Sequence, residues 1–489
     1  MLLLLLAKTM GRLCASLPES LVKIFCRFIG TLIACLPNQR RYLALSNLHH
    51  AFPQRSEKWR RKIMRASMCR LVEMGALGLA SPFLSEARIR RMVTVPSSSE
   101  QALEPFLNGA KGAIFLSPHL TLLEANSFAP LVLQIKNKTV VSLFRPFDNP
   151  QINRFIQQTR QRWGAHMLSR HRDLKHVFST VKQGGGALIF FDQNAGRRGT
   201  LVSFLGRIAS ATDLPQRIAT RYHVPVYMVY PRRQKFWRVE LCIKLLEVPF
   251  TPNAITLGAH QALEDYLQSS DDHCADWLWA HSRWKLDEKP RRRMGLGFEK
   301  SVYDFSHNHS YPPSRSEHNL RFWIRLPDRW EQAVQAIPLI KQLRWSRPDA
   351  TFALLAPEVW SHQLLEYALV EEVIALPSCA HQSLRQCWHL RKRYPDVLIL
   401  LSQSQLGDFQ AWLTGAPQRF GLALKGQITM VSPKGKLSGA SEVGVRFPST
   451  KSLAVAIPIF TVVKIPVASA VISSGAVTSG ASESTIITN

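Results

Sequence analysis

The chain has 489 residues, of which 46% are apolar and 9% aromatic, and its formal net charge at pH 7 is +28. This length and composition exclude a disordered protein and allow two hydrophobic cores. The positive charge predicts an anionic partner, and nucleic acid, acidic lipid headgroups and acidic carrier proteins all qualify. The eight cysteines form no CxxC pair, which favours reduced thiols over a disulfide framework or a zinc site.

The amino end, residues 1–40, contains an apolar segment at 21–36 that is interrupted by Lys23 and Arg27. This segment is shorter than the roughly 20 apolar residues of a membrane span. On a helix, five large apolar residues share one face: Leu21, Phe25, Phe28, Leu32 and Leu36. The two cations share another face, which predicts a helix lying in the membrane interface. A core helix with snorkelling cations and a single spanning helix are the alternatives.

Residues 41–287 show apolar runs that alternate with helical patterns. Four runs are predicted strands: residues 113–116, 139–144, 187–191 and 224–230. Helical patterns cover residues 151–163 and 173–182 between these strands. Strands alternating with helices predict an α/β sheet with parallel pairs.

The segment at residues 112–124 is the candidate catalytic site, because a strand-length apolar run ends there at a His and a Glu. Residues five apart on one α-helix point about 140° away from each other, so His119 and Glu124 cannot both be helical and share a face. Pro118 favours an extended Ser117 and therefore a turn at His119. Glu124 is then predicted on the second turn of the following helix, directed back towards the imidazole. Open α/β sheets bind ligands at this edge.

The His-x4-acid spacing is weak evidence alone. The 16 His and 34 acidic residues of the chain give roughly one such match by chance. The structural alternative is a hydrogen-bonded core histidine at position 119 and a helix surface acid at position 124. The surrounding motifs must therefore supply the specificity.

Further motifs occur in a fixed order around this pair. They are Arg40-Arg-Tyr ahead of Asn47-Leu and Ala51-Phe-Pro, Phe144-Arg145-Pro146 with Asn149-Pro150, Asp192-Gln193, Phe204-Leu-Gly206, and Trp279-Ala-His-Ser-Arg283-Trp284-Lys285. Over about residues 20–287, this series resembles the lipid A secondary acyltransferase family, the lauroyl and myristoyl transferases of lipopolysaccharide assembly.

The resemblance implies an acyltransferase at the cytoplasmic face of the bacterial inner membrane. His119 would deprotonate the acceptor hydroxyl, and Glu124 would orient and charge-stabilise the imidazole. Imidazole suits this reaction because it is neutral near pH 7 and can return the proton to the departing thiol. The implied partners are acyl carrier protein, whose acidic surface suits a basic enzyme, a lipid A precursor and the membrane surface. No cofactor and no metal are expected.

Three further residues are candidates for substrate binding or oxyanion stabilisation: Arg145, Asn149 and Asp192. Arg145, or backbone amides near the His119 turn, are candidate oxyanion donors, and Arg145 could equally hold an acceptor phosphate. A strand-end turn is the alternative for Arg145 and Asn149, because each is followed by proline. An Asx turn or a helix N-cap is the alternative for Asp192.

Residues 288–318 are polar and proline-rich, which predicts a linker. Within it, His307 and His309 have no acidic or thiol neighbour at ligand spacing, so no metal site is predicted. From residue 319 the alternation resumes. The predicted strands are residues 322–326, 351–355, 372–375 and 397–401, and the predicted helices are residues 332–344 and 382–393.

Residues 319–426 resemble the amino half of the heptosyltransferase family, a Rossmann-like half of a glycosyltransferase-B fold. The motifs are Arg325-Leu-Pro327, Ala333-Val334, Ile337-Pro338, Pro348-Asp349, Glu372-Val-Ile-Ala-Leu376 and Leu413-Thr-Gly-Ala-Pro-Gln-Arg-Phe-Gly-Leu422. Where that family has a Gly-Asp with a basic Asp, this chain has Glu331-Gln332, and an amide cannot act as a general base. We therefore expect no glycosyl transfer unless Glu331 substitutes; docking the enzyme against its glycolipid is the alternative role.

Residues 427–489 contain no Trp, Tyr, His or Cys and few charges. This composition predicts an atypical tail, either disordered or frame-shifted. Three other functions stay open for the whole chain: acyl transfer to a glycerophospholipid, heptosyltransferase-type glycosyl transfer, and nonspecific nucleic-acid binding. No recognised nucleic-acid motif accompanies the basic charge, so nucleic acid is not an expected partner.

Overall fold

The computed structural model describes residues 2–135, 137–144, 146, 149–169, 173–196, 199–284, 302–304, 309–311, 319–366, 370–401, 404–422 and 428–430. Three earlier predictions fall wholly or largely outside these residues. They concern Arg145, the linker apart from two short strands, and the tail beyond residue 430.

Four helices begin the chain: α1 (Leu2–Ser16), α2 (Glu19–Cys35), α3 (Gln39–Ala51) and α4 (Glu57–Ala80). Both α1 and α2 pack against α4. The buried residues of α2 recur at every fourth position: Val22, Cys26, Gly30 and Ala34. Gly30 is required by this packing, because a Cβ there would lie 2.3 Å from the Cα of Cys69.

The opposite face of α2 carries the five apolar residues predicted to share it, and each of them is 44% to 65% exposed. Helix α1 exposes four more large apolar residues: Leu5, Leu6, Met10 and Leu13. Of the helices in the described part of the chain, none has by itself both the length and the apolar composition of a membrane span. Helices α2 and α3 meet those criteria together, as a pair bent by 79°. The interfacial location stays a prediction.

A seven-stranded mixed sheet follows, in the order β1-β9-β8-β2-β5-β3-β4. Its elements, with the flanking helices and a hairpin, are α5 (Glu86–Met92), β1 (Val93–Thr94), α6 (Ser97–Asn108), β2 (Ala113–Ser117), α7 (Ala125–Val132), β3 (Val140–Phe144), α8 (Pro150–Gln161), β4 (His166–Ser169), α9 (Leu174–Lys182), β5 (Gly186–Phe190), β6 (Thr200–Phe204), β7 (Arg207–Ala211), α10 (Leu214–Tyr222), β8 (Val226–Lys235), β9 (Arg238–Leu245), α11 (Ala254–Gln268) and α12 (Asp271–Asp276).

The predicted α/β class is confirmed, and all four predicted strands are present. Strands β8, β2, β5, β3 and β4 run parallel, whereas β9 is antiparallel to β8. All five residues of β2 are buried, which explains its continuous apolar sequence. Strand β9, in which buried apolar residues alternate with less buried ones over most of its length, was not predicted.

The hairpin β6–β7 forms a second, small sheet with β10 (Val302–Asp304) and β11 (His309–Tyr311). Strand β10 runs parallel to β6 and antiparallel to β11. Part of the predicted linker is therefore strand. His309 lies in β11, and His307 lies outside the described residues.

The third sheet has six strands in the order β14-β13-β12-β15-β16-β17. Its elements are β12 (Leu320–Arg325), α13 (Trp330–Gln335), α14 (Ile337–Ser346), β13 (Ala350–Pro357), α15 (Ser361–Glu366), β14 (Glu372–Leu376), α16 (Ala380–Leu390), β15 (Val397–Leu400), α17 (Gln405–Leu413), β16 (Gln418–Leu422) and β17 (Ile428–Met430). All strands except β17 are parallel. This is the order of a doubly wound sheet.

The four strands predicted in this part are confirmed. The helix predicted at 332–344 is divided into α13 and α14, because Pro338 fits only the first turn of a helix. The likeness of this unit to a glycosyltransferase stays a prediction.

A buried charged contact joins the third sheet to the amino-terminal part. Arg207, at the start of β7, donates from Nη2 to Asp396 Oδ2 at 2.6 Å. The two side chains are only 1% and 12% exposed. Burial favours a raised pKa for the Asp396 carboxyl, but the charge and hydrogen bond of Arg207, together with the other neighbours of the carboxylate, outweigh burial and lower that pKa. This ion pair joins the hairpin β6–β7 to the sheet of residues 319–422.

His50 lies beside the same carboxylate, and its Nε2 donates to the backbone carbonyl of Tyr394 at 3.1 Å. Burial and the neighbouring Arg207 lower the pKa of His50 well below its ordinary value. His50 is therefore neutral, and its 3.5 Å approach to Asp396 is a packing contact rather than an ion pair.

Replacing Asp396 with Ala leaves Arg207 buried without its carboxylate. We expect the free energy of unfolding, measured in urea, to fall by about 3–5 kcal/mol, the usual cost of breaking a buried ion pair. The matched control is Glu372→Ala, which breaks a pair with Arg393 whose side chains are 39% and 44% exposed. That variant should lose less than about 1 kcal/mol. Equal losses would show that the Arg207–Asp396 pair contributes no more to the free energy of unfolding than an exposed ion pair does.

Candidate active site

The site lies where two parallel neighbouring strands end. Strands β2 and β5 pair in a register that places Ser117 opposite Phe190. His119 and Asp192 each follow their strand by two residues, so the register brings them together. The imidazole Nδ1 lies 2.6 Å from Asp192 Oδ1, and the backbone N–H of His119 donates to Asp192 Oδ2 at 2.9 Å.

Asp192 is held as an ionised carboxylate. The side chain is 1% exposed, and Trp277 donates its indole N–H to Oδ2 at 2.7 Å. Burial favours a raised pKa for this carboxyl, but the charge and hydrogen bonds of His119 reverse that effect and lower the pKa well below its ordinary value. Because an ionised carboxylate only accepts hydrogen bonds, Nδ1 of His119 must carry the proton. The other ring nitrogen, Nε2, is then the basic one.

Gln193, the next residue along the chain, approaches that second nitrogen. Its side-chain Nε2 lies 2.9 Å from Nε2 of His119. Since the imidazole accepts at this position, the amide of Gln193 donates. The imidazole ring also packs on the ring of Phe190, with 4.7 Å between centroids.

A segment after α12 fixes the turn that carries His119. Leu120 and Trp277 form an isolated antiparallel bridge. Thr121 donates from its backbone N–H and its hydroxyl to the carbonyl of Asp276, at 3.0 and 3.1 Å. On the other side of the segment, Asn47 Nδ2 donates to the carbonyls of Trp279 and His281. The segment after α12 thus brings together the sequence motifs that contain Asn47, His119 and Trp279.

The predicted contact between Glu124 and the imidazole is wrong, because Asp192 occupies that position. Residues 120 and 121 bond to residues 276 and 277 and are not helical. Helix α7 therefore begins only at Ala125, and Glu124 precedes its first turn. The Glu124 side chain then faces α8. There it accepts from Arg160 Nε at 3.1 Å and from Nη2 at 3.0 Å.

Asn149 caps helix α8. Its Oδ1 accepts from the backbone N–H groups of Gln151 and Ile152, at 3.0 and 3.2 Å, which matches the turn alternative for this residue. The backbone amides proposed as oxyanion donors are also engaged. His119 N–H donates to Asp192, and Thr121 N–H donates to Asp276. Arg145, the other proposed donor, lies outside the described residues.

An apolar cleft of about 770 Å³, part of it open to solvent, lies next to the His119 turn. Most of its walls are aliphatic or aromatic, including Phe115, Leu133 and Leu188. Phe190 lines the cleft and also touches the imidazole. The Glu124–Arg160 pair lies in the same wall, so it places two opposite charges in an otherwise apolar surface.

Sequence reasoning missed Arg160 and Trp277, and it gave Asp192 a substrate-binding role rather than a bond to His119. Arg160 lies in a helix with no motif around it, and Trp277 precedes the quoted motif by two residues. A signal for Asp192 was available, since it directly follows the apolar run of residues 187–191 and so lies at the carboxyl end of a predicted strand. Within the described part of the chain, no group of three His, Cys, Asp or Glu is arranged to hold a metal.

The fold and the site together define an α/β protein with a His–Asp pair beside an apolar cleft. Residues 2–286 match the family model described as bacterial lipid A biosynthesis acyltransferase, and the chain belongs to this family. It is 25% identical over 209 residues to the lipid A biosynthesis acyltransferase of Haemophilus influenzae, covering 42% of this chain and 63% of that protein. It is 22% identical over 221 residues to lipid A biosynthesis acyltransferase 2 of Shigella flexneri, covering 44% and 68%.

Replacing Trp277 with Phe removes one donor from the buried Asp192 carboxylate. We expect a loss of about 1.5–3 kcal/mol in unfolding free energy for that bond, in addition to the effect of the smaller ring. Trp279→Phe is the matched control, because Trp279 is equally buried and donates to the neutral carbonyl of Cys274 at 2.7 Å. Urea unfolding should show the smaller loss for Trp279→Phe. A Trp277→Phe variant no less stable than that control would contradict a charged bond to Asp192.

Proposed function

We propose that the chain transfers a fatty acyl group from the thioester of acyl carrier protein to a hydroxyl group of a lipid A precursor. The observation that carries this proposal is the pairing of His119 with Asp192 beside an apolar cleft. Family membership supports lipid A as the class of acceptor. The donor is inferred from the sequence resemblance and the positive charge of the chain, and the roles of the residues are inferred from the chemistry of the site.

The cleft supports a fatty acyl chain as one reactant. Its walls are mostly aliphatic and aromatic side chains, as in ordinary pockets for apolar ligands. Each methylene group moved from water into such an apolar surrounding contributes about 0.8 kcal/mol. Because Phe190 contacts both the cleft and the imidazole, a chain bound there would bring its carbonyl end close to His119.

His119 is suited to act as the general base. Its Nε2 takes the proton of the acceptor hydroxyl as that oxygen attacks the thioester carbonyl carbon, which forms a C–O bond. The tetrahedral intermediate then collapses, the C–S bond breaks, and the imidazolium returns the proton to the thiolate. Asp192 stays ionised throughout, holds the tautomer and stabilises the imidazolium. No enzyme nucleophile is needed, because the alcohol attacks directly.

The Glu124–Arg160 pair supports a polar end to the cleft. Glu124 and Arg160 pair with each other, which offsets much of the cost of placing their charges in this wall, and both residues line the cleft. The thioester group and the sugar hydroxyls can form hydrogen bonds with such charged groups, whereas a hydrocarbon chain cannot. We therefore assign this pair to the part of the cleft where the reacting groups lie. The acyl tail would occupy the apolar remainder.

The surroundings of the site support the proposed partners. The net charge of +28 favours an acidic carrier protein and anionic lipid headgroups. The exposed apolar faces of α1 and α2, together with the exposed cations Lys23 and Arg27 on another face of α2, suit the interface of a membrane. We propose the cytoplasmic face of the inner membrane as the working location.

The test is to incubate the full-length chain with acyl carrier thioesters and a tetraacylated lipid A precursor, and to measure the lipid by mass spectrometry. We expect the mass of one added acyl chain. His119→Ala should slow the transfer by about 10²–10⁴-fold, the usual contribution of a general base. His176→Ala, at a histidine whose side chain is 72% exposed, should leave the rate unchanged.

No added mass with any donor length would contradict the proposal. So would a His119→Ala variant that transfers at the rate of His176→Ala while remaining folded. Circular dichroism of both variants would separate a lost base from a lost fold.

A further inference from the structure

The side chain of Gln193 contacts Nε2 of His119, the nitrogen that would accept the proton in the proposed reaction. With Nδ1 bonded to Asp192, the imidazole has one acceptor direction left, along the lone pair of Nε2. The amide nitrogen of Gln193 lies 2.9 Å from that atom. A general base must have the hydroxyl oxygen that it deprotonates within about 2.6–3.2 Å of the same nitrogen. The amide and an acceptor hydroxyl therefore compete for one position.

The exposed part of this contact is the side chain of Gln193. Asp192, on one side, is buried and bonded to His119 and Trp277. On the other side, Asn194 Nδ2 donates to the carbonyl of Arg283 at 3.1 Å, and Asn194 Oδ1 accepts from Gly196 N–H at 2.7 Å. Gln193 is exposed between these two anchored residues. Its side chain can rotate away at the cost of one neutral hydrogen bond, and the backbone stays in place.

We propose that Gln193 is a displaceable cap on the general base, which the acceptor hydroxyl replaces and which keeps water away from Nε2 until the acceptor binds. This inference rests on the proposed function, because it takes His119 as the base. It makes Gln193 a determinant of specificity for an alcohol over water, rather than a catalytic residue.

The reaction that the cap would suppress is hydrolysis of the acyl donor. A water molecule at the position of the amide would lose a proton to Nε2 and attack the thioester carbonyl carbon. The C–S bond would break, and the imidazolium would return the proton to the thiolate. The products are a free fatty acid and the carrier thiol, so the donor is consumed without transfer. A lipid hydroxyl brings the binding energy of its whole molecule to displace the cap, whereas a water molecule does not.

Two variants separate the hydrogen bond from the bulk of the side chain. Gln193→Met keeps a similar length without a donor, and Gln193→Ala removes both. With an acyl carrier thioester and no acceptor, both should hydrolyse the donor about two- to tenfold faster than the unaltered chain, the factor expected for one neutral hydrogen bond. At saturating lipid A precursor, both should transfer the acyl group within about twofold of the unaltered rate.

Two controls accompany these variants. Gln183→Ala truncates another exposed glutamine, at the end of α9, and should change neither rate. Adding His119→Ala to Gln193→Ala should abolish the extra hydrolysis, because the water depends on that imidazole.

Normal acyl transfer with unchanged hydrolysis in Gln193→Ala would overturn the cap and leave the proposed function intact. A loss of transfer beyond tenfold in both Gln193 variants would also overturn it, since the side chain would then be needed in the bound complex. If the unaltered chain transfers no acyl group to the precursor, the proposed function fails and this inference fails with it.

Discussion

The bond between His119 and Asp192 is the interaction on which the rest of the site depends. It exists because β2 and β5 are parallel neighbours in a register that aligns Ser117 with Phe190. A shift of one residue would move each side chain to the other face of the sheet. The buried carboxylate fixes the imidazole tautomer, and the tautomer leaves Nε2 as the basic nitrogen. The position of the proton on the imidazole is therefore set by strand pairing.

Two kinds of contact keep this geometry in place. Near the site, Trp277 supports the carboxylate, and the carbonyl of Asp276 holds the turn after His119. Farther away, the Arg207–Asp396 pair attaches the sheet of residues 319–422 to the hairpin β6–β7. Arg207 lies over the ring of Trp284, which stacks on Phe204, and Phe204 in turn packs against Trp277. The second α/β unit is thus packed against the same aromatic cluster that supports Asp192.

Sequence reasoning predicted the α/β class, the principal parallel strands and the position of His119 in the turn after a strand, because buried parallel strands have continuous apolar sequences. It also predicted which face of α2 is apolar, since helical periodicity determines that face directly. It failed on the partner of His119. Spacing along the chain suggested Glu124, whereas the true neighbour, Asp192, is distant in sequence and depends on which strands pair. Arg160 was missed for the same reason, because its contact with Glu124 joins α8 to the turn before α7, which no local sequence pattern connects.

The most direct test of this account is the rate of acyl transfer by an Asp192→Asn variant at saturating donor and acceptor. Asparagine keeps the shape of the side chain but can no longer hold the tautomer or stabilise the imidazolium. The account predicts a fall in kcat on the order of 10⁴-fold, as expected when a buried carboxylate behind a catalytic histidine becomes an amide, with the fold retained. A folded Asp192→Asn variant that transfers within tenfold of the unaltered rate would contradict it.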